Sequence, residues 1–393
     1  MTPSARVQAA IDLLDDIIAA ARDGGAAADT LIARYFKTRR YAGSKDRRAV
    51  RDLLYRAIRR SAERPASGRA AMAGLASDDA GLAALFDGSA HGPAPIVAGE
   101  DIAPAALVPG WIIPHLAAPV DEAEQRALLE RAPLDLRINR LKGQREAVLA
   151  AFPDAQTFPA MPDALRLAEG KPVEQHAAYR DGLVEIQDIG SQLIAMACAA
   201  QPGMAVMDLC AGAGGKTLAL AAAMGGQGQL FAADINRDRL ARLPERAERA
   251  GAGFIHPLLL DPGKESAALA GHAGAMDVVL VDAPCSGTGT WRRNPEARWR
   301  LTEQRLARIC REQAHILDFA APLVKPGGRL VYAVCSLIEE EGRAQIDAFL
   351  ARHSGWTVGR PDLPLGREHG YGRLLTPAHD GTDGFFIATL LRS

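Results

Sequence analysis

The stretch DLCAGAGGKT, residues 208–217, joins three glycines and a Lys-Thr pair to a leading Asp. Such a loop brings backbone N–H groups close to a small charged ligand. A phosphate-binding P-loop needs GxxxxGK[ST], yet counting back from Gly215, Lys216 and Thr217 puts Cys210 where the first glycine belongs. A dinucleotide fingerprint needs GxGxxG, and from Gly212 and Gly214 the third glycine would be Thr217. The reading that survives is S-adenosylmethionine. Its amino-acid half is met by the loop Cys210, Ala211, Gly212, Ala213, Gly214, Gly215 and Lys216, with Asp208 near the ammonium. Asp234 ends a second β-rich run and suits the ribose hydroxyls. Asp261 ends a third, beside the adenine amino group, and Asp282 ends a fourth. A lone acid at a strand end is usually a turn or helix cap; four in register argue for a ligand.

DAPCSGTG places Cys285 just beyond the fourth run, and YAVCSL places Cys335 at the end of a fifth. Singly, each cysteine would be a small buried hydrophobe. Both, however, fall on the rim that faces the methyl donor, and each is followed by Ser. A thiol beside that donor has a specific use. Carbon 5 of cytosine is no nucleophile until a thiolate adds to carbon 6 and makes the ring an enamine. Asp282 can assist by protonating or hydrogen-bonding N3. A base then takes the carbon 5 proton and the thiol is eliminated. The sulfonium is its own leaving group, so the step requires no metal, and no His, Cys or acid spacing suggests one.

The elements that must position these residues follow from periodicity. From Leu183 onward, short β-rich runs (AVMDLC, GQLFAADI, GFIHPLLLD, AMDVVLVDAP, GRLVYAVCSL, FFIATLLR) alternate with helical segments. That rhythm predicts an α/β domain with a mostly parallel sheet covered by helices on both faces. Ligands in such sheets sit beyond the carboxyl ends of the strands. Residues 1–65 read as a basic helical domain and 66–105 as an Ala/Gly/Pro-rich connector, with a helix or two expected over 63–105 before the linker. Residues 106–182 read as a small α+β unit, in which LDLRINRL alternates as a strand, and 183–393 as the catalytic domain. Ser44 is the expected cap of the helix SKDRRAVRDLLYRAIRR.

The net charge of −1 hides an asymmetry. Residues 34–64 carry twelve Lys/Arg against three acids. Arg39, Arg40, Lys45, Arg47 and Arg48 are the candidates there for a polyanion such as RNA, and a solvated basic helix face is the plainer account. Five widely spaced cysteines suggest neither a disulfide framework nor a zinc site. With no twenty-residue apolar run and no signal-peptide order at the start, a cytoplasmic monomer away from membranes is expected.

The blocks CAGAGGKT, ADIN, VDAPCSG and YAVCSL resemble, in order and separation, the signature blocks of the RsmB/Nop/NSUN family of RNA 5-cytosine methyltransferases. VEIQDIGSQ and DGFFIATL resemble the flanking blocks, so the likeness spans roughly residues 105–393. DRRAVRDLLYRAIRR is similar to the NusB-like RNA-binding domain of the bacterial branch, in shortened form. The resemblance implies a Rossmann-like class I methyltransferase domain with a seven-stranded sheet. It implies Cys335 as nucleophile, Cys285 as the thiol that assists product release, and Cys210 to Lys216 with Asp234, Asp261 and Asp282 around the donor. DNA cytosine-5 enzymes instead place the nucleophile in the Pro-Cys block, typically before Gln, where Ser286 stands here. Ala213 replaces a Pro common in the family and is expected to be tolerated; Val334 replaces a Thr and removes a hydroxyl beside the nucleophile. The implied substrate is 16S ribosomal RNA, with transfer RNA the alternative.

WRRNPEARWR, residues 291–300, offers Arg292 and Arg293 to phosphates and Trp291 and Trp299 to an exposed base, or else the tryptophans pack the loop. Of Phe385 and Phe386, alternation sends one to the core and the other toward the site. Lys216 is a candidate for the donor carboxylate or the substrate. Two further readings stay open. A non-catalytic RNA-binding factor with this fold would not need both thiols, and methylation of a protein or small molecule leaves the basic segment without work.

Overall fold

The computed structural model describes residues 1–168 and 170–393. They form two compact units, Met1–Glu130 with Thr290–Glu303, and Arg131–Gly289 with Gln304–Ser393.

The first unit is built on α1 (Pro3–Asp23), α2 (Ala28–Thr38), α3 (Ser44–Arg60) and α4 (Gly68–Ser77). In α1, Val7, Ala10, Ile11, Leu14 and Ile17 recur at helical spacing and are buried, as an amphipathic stripe requires. Thr2 caps this helix, Pro3 occupies its first turn, and Gly24 ends it in the left-handed region. The α3 cap differs from expectation. Ser44 is the first helical residue, and the Asp46 carboxylate instead accepts the Gly43 N–H at 3.2 Å. The stretch 63–105, read as a helix or two before a linker, carries α4, whose Ala71, Met72 and Leu75 join the core made by α1 and α3. A β-carbon at Gly68 would lie 2.2 Å from the Ile11 carbonyl oxygen, so glycine there lets α4 meet α1 backbone to backbone. The 290–303 loop belongs to this unit too, through Trp299 in the same core.

The second unit holds two sheets. The smaller comprises β1 (Leu134–Ile138), β2 (Gln156–Phe158), β3 (Met161–Leu167) and β4 (Val184–Ile186), antiparallel in the order β2-β3-β1-β4. The larger comprises β5 (Ala205–Asp208), β6 (Gln229–Asp234), β7 (Ile255–Leu259), β8 (Met276–Asp282), β9 (Val324–Val334), β10 (Trp356–Gly359), β11 (Arg367–His369), β12 (Gly372–Leu375) and β13 (Phe385–Arg392). Its order is β11-β12-β13-β9-β8-β5-β6-β7, with β10 on β13. The run from β7 to β9 is parallel and β13 is antiparallel to β9.

Among the described residues the sheet has nine strands where seven were expected. β12 pairs with residues 385–387 and β10 with residues 389–392, so both share one edge of β13. Pro361 and Pro364 lie between them. Proline has no N–H to give a ladder, which accounts for a seventh position built in two pieces; β11 then adds a hairpin strand. The chain runs from β5 outward to β7 and returns on the other side of β5 as β8, which opens a crevice at the carboxyl ends of β5 and β8. Val206, Val278 and Leu280 are sealed in the core beneath it.

Candidate active site

The turn after β5 is held between its neighbours. The Leu209 N–H donates to the Leu280 carbonyl at 2.8 Å, and the Ala211 N–H to that of Ala233 at 2.9 Å. The Gly212 N–H donates to Asp234 Oδ2 at 2.7 Å, while Asp234 Oδ1 takes the Asn236 N–H at 2.6 Å. Gly212 and Gly214 both have positive φ, at 57° and 84°. A β-carbon at Gly214 would lie 2.2 Å from Leu243 Cδ1, so the loop can enter the helix Gly215–Ala223 only through glycine.

A cavity of about 460 Å³ opens over this loop. Cys210, Asp234, Asp282, Cys285 and Cys335 line it, whereas Ala211, Gly212, Ala213, Gly214 and Gly215, expected around the donor, fall outside the lining. Asp208 does not. It is 1% exposed beneath the loop and accepts the Thr217 hydroxyl at 2.7 Å, which corrects its expected place at the donor's ammonium. Burial pushes its carboxyl up to about 7, against the opposing hydrogen bond from Thr217. Asp261 also falls outside the lining. β7 stops at Leu259, and Asp261 sits exposed in the turn beyond it, its carbonyl accepting the Lys264 N–H, while Leu260 and Glu265 form the wall. Lys216 reaches sideways, its Nζ donating to Asp282 Oδ2 at 2.6 Å. Burial works against the ammonium, but the charge and hydrogen bond of Asp282 prevail and hold its pKa above the ordinary value.

The two thiols meet. Cys285 Sγ and Cys335 Sγ are 3.1 Å apart on the cavity wall. Hydrogen bonding with Cys335, ahead of burial, holds the Cys285 thiol well above its usual pKa, so it keeps its proton at neutral pH.

Sequence reasoning missed the far wall. Glu312, His315, Ile316 and Phe319 come from the helix Glu303–Ala320, and Arg239 follows β6. The helix residues recur at one-face spacing, a signal present in the sequence but indistinguishable there from a core stripe.

Both Phe385 and Phe386 are buried, at 4% and 1% exposed; the Lys216 Nζ lies 5.9 Å from the Phe385 ring centre. Base stacking by the 291–300 tryptophans is overturned, because Trp291 and Trp299 are both buried, Trp299 within the core of the first unit. Trp299 Nε1 donates to the Ser61 carbonyl at 2.8 Å, and Arg298 donates to those of Leu107 and Ile58, both at 2.7 Å. Arg292 is buried and Arg293 exposed. In the basic segment Arg40, Lys45, Arg47 and Arg48 are exposed, while the Arg39 guanidinium stacks 3.6 Å above the Tyr35 ring. Among the described residues no cluster of His, Cys, Asp or Glu is arranged to hold a metal ion, and no helix is long and apolar enough to cross a membrane.

A parallel sheet with a ligand-sized crevice over β5, β6 and β8 defines a Rossmann-like methyltransferase fold. The family model described as 16S rRNA methyltransferase RsmB/F matches residues 195–391, and the chain belongs to that family. It is 35% identical over 296 residues to ribosomal RNA small subunit methyltransferase B of Salmonella typhi, a match covering 73% of this chain and 66% of that protein. The chain thus spans just under two thirds of the relative's length. The fold is shared with the crystal structure of PH0851, at a TM-score of 0.75 over 99% of each chain and 23% identity. It is shared too with a methyltransferase homolog protein from Pyrococcus horikoshii, at 0.61, covering 71% of this chain and 92% of that one at 24% identity.

Proposed function

We propose that this protein is an S-adenosylmethionine-dependent RNA cytosine-5 methyltransferase that acts on 16S ribosomal RNA through a covalent bond to Cys335. The observation that carries this reading is the pair of thiols 3.1 Å apart on the wall of the crevice. Neither a non-catalytic RNA-binding factor nor an enzyme acting on an acceptor already nucleophilic has use for two thiols there.

The crevice suits the methyl donor. Its volume of about 460 Å³ lies within the roughly 300–1,000 Å³ of small-molecule sites. Asp234 takes one N–H on each oxygen and keeps lone pairs for ribose hydroxyls. Cys210 and Arg239 line the same wall, and a β-carbon at Gly212 would lie 2.5 Å from the Arg239 guanidinium. Bound there, S-adenosylmethionine supplies an electrophilic methyl group and leaves as a neutral thioether.

The protein's own residues supply the rest. Cys335, as thiolate, forms a bond to carbon 6 of the cytosine, and the displaced ring electrons make carbon 5 nucleophilic. Asp282, in its protonated form, donates to N3 as negative charge builds on that edge, with the Lys216 ammonium beside it adding to the stabilisation. Once carbon 5 carries the methyl, a base removes its proton, the C6–S bond breaks with its electrons returning to sulfur, and aromaticity is restored. Cys285, retaining its proton, assists that departure. The exposed arginines and lysines of the first unit are suited to holding RNA phosphates.

The test is methyl transfer from labelled donor to unmodified 16S RNA, unmodified transfer RNA and bulk protein, followed by mapping of 5-methylcytosine. Label at carbon 5 of one ribosomal cytosine supports the reading. Label only on transfer RNA moves the substrate; label at a nitrogen, on protein, or nowhere overturns the chemistry.

A further inference from the structure

Beneath the two cysteines lies a polar cluster that the proposed chemistry does not use. Glu341 is fully buried. Its Oε1 accepts the backbone N–H of Ser286 at 2.7 Å and Gln313 Nε2 at 3.0 Å; its Oε2 accepts the Ser336 hydroxyl at 2.5 Å. Ser286 follows Cys285 and Ser336 follows Cys335, so one carboxylate has an oxygen on each cysteine's turn. The surroundings brace it. Gln313 also donates to the Pro284 carbonyl at 3.0 Å, and the Tyr332 hydroxyl donates to the Glu341 carbonyl at 2.7 Å. Burying a carboxylate is expensive unless it is hydrogen-bonded, and here three donors meet it.

The two turns need such a tie. The ladder between β8 and β9 ends at the pair Asp282 and Ala333, with the Ala283 N–H reaching the Ala333 carbonyl at 2.9 Å. Past that point the strands no longer set the distance between Cys285 and Cys335. One backbone bond, from the Gly289 N–H to the Cys335 carbonyl at 3.1 Å, joins the turns there; the remaining ties are side chains, with the Leu337 N–H donating to Thr288 Oγ1 at 2.8 Å and the Ser286 and Ser336 hydroxyls 3.1 Å apart.

We infer that Glu341 is a positioning residue that holds the Cys285 and Cys335 thiols at their working separation. Its catalytic consequence rests on the cytosine-5 reading above; the spacing itself does not. Without the bridge, Cys335 still forms the bond to carbon 6, but Cys285 is misplaced for release. Displacement of a catalytic group by about 1 Å costs on the order of 100-fold, so the covalent protein–RNA species outlives its formation.

The spacing is read without RNA by phenylarsine oxide, whose arsenic forms two As–S bonds with a neighbouring thiol pair and releases its oxygen as water. Wild type is expected to capture the reagent, and loss of capture in Cys285→Ser assigns it to this pair. Glu341→Ala should capture it about tenfold more weakly or worse, a fraction of the cost of misplacing a group. Glu341→Gln should stay close to wild type, because its oxygen still takes the Ser286 N–H and its amide reaches the Ser336 hydroxyl. With 16S RNA and methyl donor, Glu341→Ala should accumulate a slow band on a denaturing gel and Glu341→Gln should turn over. Capture by Glu341→Ala as tight as wild type overturns the proposal, and so does equal loss in both variants. If Glu341→Ala does not unfold cooperatively, Ser336→Ala, which removes one arm, is judged by the same criteria. Arsenical results as expected, with no RNA methylation by wild type, uphold the spacing role and sink the methylation reading instead.

Discussion

Lys216 Nζ lies 2.6 Å from Asp282 Oδ2, linking the first turn of the helix Gly215–Ala223 to the end of β8. The lysine therefore serves Asp282, the carboxylate proposed to meet the cytosine. Lys216→Met should lower methyl transfer by about 100-fold, the scale of losing one charge-stabilising or orienting group. Donor affinity should change by less than about threefold, because the side chain is outside the cavity lining. Calorimetry of donor binding beside single-turnover transfer separates the two; a large loss of affinity would return Lys216 to the donor carboxylate.

The two cysteines should fail differently. Cys335→Ala should abolish transfer and leave donor binding nearly intact. Cys285→Ala should form a protein–RNA bond and fail to release it, giving a slow band on a denaturing gel. If the adduct appears in the Cys335 variant and the Cys285 variant is simply inactive, the roles are reversed. The direction follows from the roles that the family resemblance implies for the two thiols, which lie 3.1 Å apart.

Two groups of arginines should separate into fold and binding. Arg298 is 1% exposed and donates to four backbone carbonyls, those of Pro295, Leu107, Ile58 and Arg59. Burial lowers its pKa to about 10, with repulsion from Arg59 adding, so it is still charged at neutral pH. Arg298→Ala should destabilise the protein by about 3 kcal/mol, the cost of leaving buried partners unsatisfied. The triple change of Arg40, Lys45 and Arg48 to Ala, all exposed, should leave thermal unfolding unchanged. It should also reduce the slope of log affinity for RNA against log salt by about 2–3. An unchanged slope would take this face out of RNA binding.

What the sequence made legible was whatever is local or periodic. The strand ends Asp234, Asp282 and Cys335 could be placed because alternation and apolar runs mark where β6, β8 and β9 stop. The loop could be read because Gly212 and Gly214 stand where only glycine fits. Asp208 and Asp261 also stand at or near strand ends, yet one is sealed beneath the loop and the other lies two residues past β7; which side of the loop a carboxylate takes is a packing outcome. The same holds for WRRNPEARWR. Its composition suits RNA, but Arg298 meets carbonyls nearly two hundred and more residues away in sequence, and no local pattern carries that. Glu341 was invisible for the same reason, being one of three consecutive glutamates.

Asp208 makes a prediction about pH. Its folded pKa, about 7, stands above the unfolded value of about 4. A raised acid contributes stability that is fully present below the unfolded pKa and is lost as pH rises through the folded one. Wild type should therefore lose stability between about pH 4 and pH 7 from this site, on the order of 4 kcal/mol at most. Asp208→Asn keeps an oxygen for the Thr217 hydroxyl and carries no charge to bury. It should match wild type near pH 4 and be more stable above pH 7, with donor binding little changed because Asp208 does not reach the cavity. Denaturant unfolding at pH 4.5, 6 and 8 reads the difference. A variant no more stable than wild type at pH 8 would mean that the buried carboxylate is compensated by a partner other than Thr217.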